Sequence, residues 1–262
     1  MWSISCKNFT ISCTKVKTNY IWFIINEENK HCAIVDPGNA TATLKFITEK
    51  NLIPDAILIT HHHSDHTGGI KELISHYPIP VYGPKHETIP GLDHPLEEND
   101  IVALNNIGIN FTAIDLPGHT KGHIAYYGDG VLFCGDVLFA AGCGRIFEGT
   151  AEEMLTSLNK LTQLPDDTLV FCAHEYTLHN LRFALSIEPQ NHIIQKRINE
   201  CENLQKQNLP TLPSTIDLEK ATNPFLRCTE STVIDAAYHH SGQQPANALE
   251  TFKIIRKWKN EL

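Results

Sequence analysis

The chain has 262 residues, long enough for one large domain or for a domain with a smaller appendage. Hydrophobic residues make up 42% and charged residues 19%, the balance of an ordinary globular protein rather than a fibrous or disordered one. With 21 basic against 30 acidic residues the formal net charge is −9, which argues against a general nucleic-acid surface. Residues 1–7 lack a continuous apolar core, and the apolar run 21–25 is far too short to span a bilayer, so a cytoplasmic chain with no membrane partner is expected. The eight cysteines are scattered without C-x-x-C spacing, which reads as reduced, mostly buried thiols rather than a disulfide framework.

In chain order, residues 19–26 and 32–35 read as neighbouring strands joined by a polar turn, and Asp36-Pro37-Gly38 breaks the second. Residues 40–51 have helical spacing closed by Pro54, and residues 55–59 form the next strand. A helix is expected over 67–77 and a short strand over 80–83, with 84–100 as a loop. Two hairpins follow, 101–104 with 108–114 and 123–127 with 131–134. Thr150 and Glu153 fit a capping box opening a helix to about residue 161, and 168–172 is the last core strand. After His174 the spacing is helical over 178–187, 191–207, 229–239 and 246–259, and no strand pattern returns.

The chemistry gathers where strands end. The strand at 55–59 runs into Thr60-His61-His62-His63-Ser64-Asp65-His66, more ligand capacity than one tetrahedral ion takes from a single loop. Three later apolar runs end just before His119, Asp136 and His174, and carboxyl ends of strands are where sites collect in such sheets. His62 lies between ligand candidates and is expected to point away. His123 and Cys172 are expected to be packed, buried groups.

The order T-H-x-H-x-D-H, P-G-H-T, G-D and H-E-Y resembles the metallo-β-lactamase superfamily, and within it the glyoxalase II (hydroxyacylglutathione hydrolase) family. Ala141-Gly142-Cys143-Gly144-Arg145 and Asn223-Pro224-Phe225-Leu226-Arg227 share that resemblance, which covers nearly the whole chain. It implies an α/β fold: an αββα sandwich over 1–174 as the catalytic domain, then a small all-helical substrate-binding domain over 175–262. It also implies two divalent ions, zinc foremost with iron or manganese suiting the same donors. His61, His63 and His119 would hold one ion, Asp65, His66 and His174 the other, with Asp136 bridging. Asp65 and Asp136 are the implied catalytic carboxylates. Arg145, Tyr176, Arg256 and Lys259 are the implied contacts to glutathione, although Arg145 stands where the family often has Lys, and Phe147 where it often has Tyr.

The implied reaction is hydrolysis of S-lactoylglutathione by a monomer. Because a thiolate leaves readily, the lack of an obvious general acid agrees with a thioester better than with an amide. A persulfide dioxygenase using one iron is the alternative on the same fold; a β-lactamase, a processing nuclease and a structural metal protein fit the residues less well.

Overall fold

The computed structural model describes residues 2–262 and divides into two compact units. One takes the chain up to Asp115 and again Lys121–Gly135; the other takes Leu116–Thr120 and Asp136–Leu262.

In the first unit, β1 (Ser3–Ser5), β2 (Thr10–Val16), β3 (Asn19–Ile25) and β4 (His31–Val35) pair antiparallel in sequence. After helix α1 (Ala40–Lys50) the pairing turns parallel, with β5 (Ile53–Leu58) against β4. Asn39 caps α1, its side chain accepting from the Ala42 N–H, and Asn51 ends it in the left-handed region at φ 52°. The short helices α2 (Ser64–Thr67) and α3 (Ile70–His76) precede β6 (Val81–Pro84) and β7 (His94–Leu96), which extend the parallel run. The sheet order is β1 to β7. From Tyr20 onward β3 is buried throughout, as a strand covered on both faces must be. Phe23 of β3 stacks on Phe46 of α1 at 4.1 Å, in a core with Ile34, Ile57, Ile70 and Leu73.

Then β8 (Ile101–Leu104), β9 (Ile109–Asp115), β10 (Ile124–Gly128) and β11 (Val131–Gly135) form an antiparallel meander. In β8 Ile101 and Ala103 are exposed while Val102 and Leu104 are buried, the alternation of a strand with one wet face.

Two expectations for this unit change. The single helix over 67–77 is two short pieces parted at Gly68-Gly69, because the Gly69 N–H donates to the Pro37 carbonyl and pins the chain to the 36–38 turn. The stretch 84–100 contains β7, an edge strand whose Pro95 has no amide hydrogen to offer a further neighbour.

The second unit holds the hairpin β12 (Leu138–Phe139) and β13 (Gly142–Cys143), then α4 (Ala151–Leu161) and β14 (Leu169–Cys172). Both halves of the Thr150/Glu153 capping box are formed. Helices α5 (Thr177–Ile187) and α6 (His192–Lys206) follow, then β15 (Ser214–Thr215), α7 (Ile216–Thr222), α8 (Ser231–Ser241) and α9 (Ala248–Asn260). A strand therefore does return after His174: β15 pairs antiparallel with β14 through Leu169–Thr215 and Val170–Ser214, too few residues to carry an alternating pattern. Phe225 anchors the helices, its ring 6.2 Å from Phe183 and 5.7 Å from Phe252.

Among the described residues all eight cysteines are free thiols, six of them buried. No helix among them is long and apolar enough to cross a membrane.

Candidate active site

In the first unit the ligand loop hangs on Asp36, at the end of β4 and nearly fully buried. Its Oδ1 accepts from the Thr60 N–H at 2.8 Å and its Oδ2 from the Thr60 hydroxyl at 2.7 Å. The same Oδ2 lies 3.0 Å from His66 Nδ1. With its proton given to Asp36, Thr60 Oγ1 accepts from His61 Nδ1 at 3.1 Å. These partners place the protons of His61 and His66 on Nδ1 and leave each Nε2 as a lone pair, the tautomer a metal ligand needs. His61 Nε2 and His63 Nδ1 are 3.0 Å apart, two imidazole nitrogens converging as on a shared ion.

Asp65 is about half exposed, its Oδ2 accepting from Asn19 Nδ2 at 2.9 Å and lying 3.7 Å from His66 Nε2. Gly38 makes this possible: any Cβ there would overlap the Asp65 carbonyl. His62 is held by Glu87, its backbone N–H donating to Oε2 and its Nδ1 3.0 Å from the same oxygen, with its ring 5.0 Å from that of His63. Glu87 Oε1 also accepts from the Gly122 N–H at 3.1 Å, so one carboxylate ties the ligand loop to the 121–123 segment. His123 is buried and stacks on His61 at 4.9 Å.

In the second unit three candidates meet at one carboxylate oxygen. Asp136 Oδ2 lies 3.4 Å from His119 Nε2 and 3.3 Å from His174 Nε2. His119 Nδ1 donates to the Arg145 carbonyl at 2.7 Å, and a carbonyl can only accept. In the neutral ring the Nε2 lone pair then faces a carboxylate oxygen, a repulsive arrangement that a cation between them would reverse. The donor set thus fits a metal on its own chemistry. Imidazole and carboxylate without thiolate suit zinc, iron or manganese. Cys172 lies two residues before His174, but it is a buried thiol donating to the His174 carbonyl, and burial pushes it far above the ordinary thiol range.

The expected substrate contacts are less uniform. Tyr176 is 37% exposed, its ring stacked parallel on His174 at 4.8 Å. The Arg145 side chain is exposed, and Phe147 is 63% exposed with its ring edge-on to His119 at 5.2 Å. Arg256 and Lys259 are both buried. Arg256 is committed inward: Nη1 donates to the Cys143 carbonyl at 2.8 Å, Nη2 donates to Asn260 Oδ1 at 3.0 Å, and the guanidinium sits over the Phe225 ring. Lys259 makes one long bond to the His179 carbonyl at 3.4 Å and lies over the Phe183 ring. Sequence reasoning missed Asp36, Asn19 and Glu87. Asp36 alone carried a local signal, as an acidic residue ending a strand ahead of a turn.

A family model described as metallo-beta-lactamase superfamily matches residues 16–174, and one described as hydroxyacylglutathione hydrolase C-terminus matches 175–262. A hydroxyacylglutathione hydrolase of Nitrosomonas eutropha is 53% identical over 93% of this chain and 95% of its own. The chain belongs to the hydroxyacylglutathione hydrolase family. Members of this family carry the metallo-β-lactamase fold followed by a C-terminal helical domain, and both parts are present here. Among solved structures, ETHE1 from Myxococcus xanthus superposes with a TM-score of 0.67 at 22% identity, covering 95% of this chain and 90% of its own. At that identity it speaks for the fold alone. TTHA1623 in a di-iron-bound form superposes with a TM-score of 0.58 at 26% identity, covering 82% of this chain and 99% of its own.

Proposed function

We propose that this hydroxyacylglutathione hydrolase family member hydrolyses S-(2-hydroxyacyl)glutathione, S-lactoylglutathione foremost, to glutathione and the 2-hydroxy acid, the second step of methylglyoxal detoxification. What carries the reading is the relative that is 53% identical over 93% of this chain and 95% of its own, and is named for that activity. The C-terminal family match over 175–262 supports a helical glutathione-binding domain after a catalytic domain ending at His174.

His61, His63 and His119 are assigned to one divalent ion and Asp65, His66 and His174 to the other, with Asp136 shared. Zinc is the first choice; iron and manganese suit the same donors, and the di-iron form of TTHA1623 is a precedent on this fold. When bound, two such ions acidify a water toward neutrality and polarise the thioester carbonyl. The chain's own residues set the stage for that. Asp36 and the Arg145 carbonyl hold the His66 and His119 protons on Nδ1. Asp65 and Asp136 are the carboxylates assigned to the reacting water. Tyr176 and Arg145 offer exposed polar groups beside His174 and His119, and Lys259 offers an ammonium without a carboxylate partner among the described residues. The leaving thiolate needs no strong acid. A monomer in the cytoplasm completes the proposal.

The test follows loss of the thioester bond of S-lactoylglutathione alongside elemental analysis of the purified protein. About two ions per chain are expected, and Asp136→Ala should lower occupancy and abolish most turnover. Full activity with one tightly bound ion would remove the dinuclear assignment. Oxygen consumption with glutathione persulfide on a single iron would establish the dioxygenase instead.

A further inference from the structure

We infer that Glu219, on a helix of the C-terminal half, is a positioning residue for the metal centre, acting through the β12–β13 hairpin. The inference rests on the reading that His119 and Asp136 hold metal.

The hairpin joins two pieces of that centre. Asp136 stands just before β12, and Arg145, whose carbonyl fixes the His119 proton, stands just after β13. The Gly144 N–H donates to the Val137 carbonyl at 3.1 Å, and a Cβ on Gly144 would overlap the Asp136 carbonyl. The two arms therefore move together, and a displaced hairpin carries the carboxylate and the histidine's orienting carbonyl with it.

Local pairing holds little of this hairpin. It has two residues in each strand, and Ala141 at its tip has φ +54°, a left-handed conformation that a Cβ disfavours. Its backbone groups are gripped instead from α5, α7, the residue after α7, and α9. The Ala141 N–H donates to Glu219 Oε2 at 2.8 Å. Asn223 Nδ2 donates to the Phe139 carbonyl at 3.2 Å, the Gly142 carbonyl at 2.8 Å and Glu219 Oε2 at 2.9 Å. Asn180 Nδ2 donates to the Ala140 carbonyl at 3.1 Å, and Arg256 Nη1 takes the Cys143 carbonyl. Within this grip Glu219 is the acceptor that meets the strained residue, and Ser214 Oγ donates to its other oxygen. The carboxylate is 1% exposed, so no water can replace it without rearrangement. Residues beyond His174 thus set the geometry of metal ligands, as outer partners of metal ligands do elsewhere.

Two substitutions separate positioning from bulk stability. In Glu219→Gln the amide oxygen can keep the Ala141 and Asn223 bonds, while its NH2 donates to Ser214 Oγ, whose hydroxyl reverses. Glu219→Ala removes the grip. Zinc affinity is read by competition with a colorimetric chelator, together with melting of the metal-free protein and the kinetics of S-lactoylglutathione hydrolysis. E219A should bind zinc about tenfold or more weakly and lose kcat with KM moved less than about twofold, whereas E219Q stays within about twofold of the parent in both. If E219A does not fold, Asn180→Ala, which frees only the Ala140 carbonyl, should weaken zinc in the same direction. Parental zinc affinity in the folded variant, whatever its melting temperature, overturns the inference alone. A parent chain that holds no zinc overturns the metal centre and this inference with it.

Discussion

Lys259 is a buried cation whose neighbours are another cation, an aromatic ring and a carbonyl at long range. Burial first, and then the charge of Arg256, push its pKa down to about 8. The unfolded chain holds that proton to a pH of about 10.4, so between about 8 and 10.4 the unfolded state binds more protons and stability rises with pH. Below that window the full cost of burying the charge is present. A bound anion would offset that cost, and under the proposed function it is a glutathione carboxylate. Lys259→Gln should therefore raise the melting temperature at pH 7, with the gain shrinking as the pH is raised from 8 towards 10. It should also raise KM for S-lactoylglutathione about tenfold or more while kcat stays near the parent value, because a contact far from the scissile bond binds ground and transition states alike. In the parent, affinity for a non-hydrolysable S-alkylglutathione should fall as the pH passes 8, a limb absent in the variant. Calorimetric titration across pH decides it, and a flat parental profile would sink the assignment. Arg256 differs because its guanidinium is bonded to Cys143. Its replacement should disturb the hairpin and kcat as well as KM.

At the scale of elements, what could be read from sequence was what local chemistry decides. The box at Thr150 is an example: its side chain accepts from the Glu153 N–H at 3.1 Å, and Glu153 accepts from the Thr150 N–H at 2.7 Å. Thr150→Ala should cost about 1 kcal/mol and lower the melting temperature by roughly 2–4 °C, followed by far-UV circular dichroism. A change below half a degree would show that tertiary packing alone holds α4. Elements fixed at a distance were illegible. The break between α2 and α3 depends on the Pro37 carbonyl, some thirty residues earlier, and β15 exists only because β14 offers it a partner. The hairpin β12–β13 has no alternation or turn signature, and its conformation is set by side chains from four later stretches of chain.

Across the whole molecule the same division separates ligands from the groups that orient them. His61, His63, His66, His119, Asp136 and His174 stood out because each follows a strand-like run. Asp36 and Glu87 did not, because their partners lie 24 to 35 residues away. The helical tail, legible as helices, is also packed into the second unit. Phe252 and Ile255 of α9 are fully buried, Phe252 meets Phe225, Trp258 meets Phe183, and Arg256 holds the Cys143 carbonyl. Burying two such apolar side chains contributes about 1.5–3 kcal/mol each, against a total stability of order 5–15 kcal/mol for a typical protein. A chain ending before Ala246 should consequently lose cooperative melting of the second unit, bind a hydrophobic dye, and release the ions assigned to His119, Asp136 and His174. Phe252→Ala in the full chain should reproduce part of this, costing about 3–5 kcal/mol in urea unfolding. A truncated chain that melts cooperatively, keeps two ions and has lost only thioester hydrolysis would instead make α9 a detachable substrate handle. The grip on the hairpin through Arg256 would then be dispensable for the metal site.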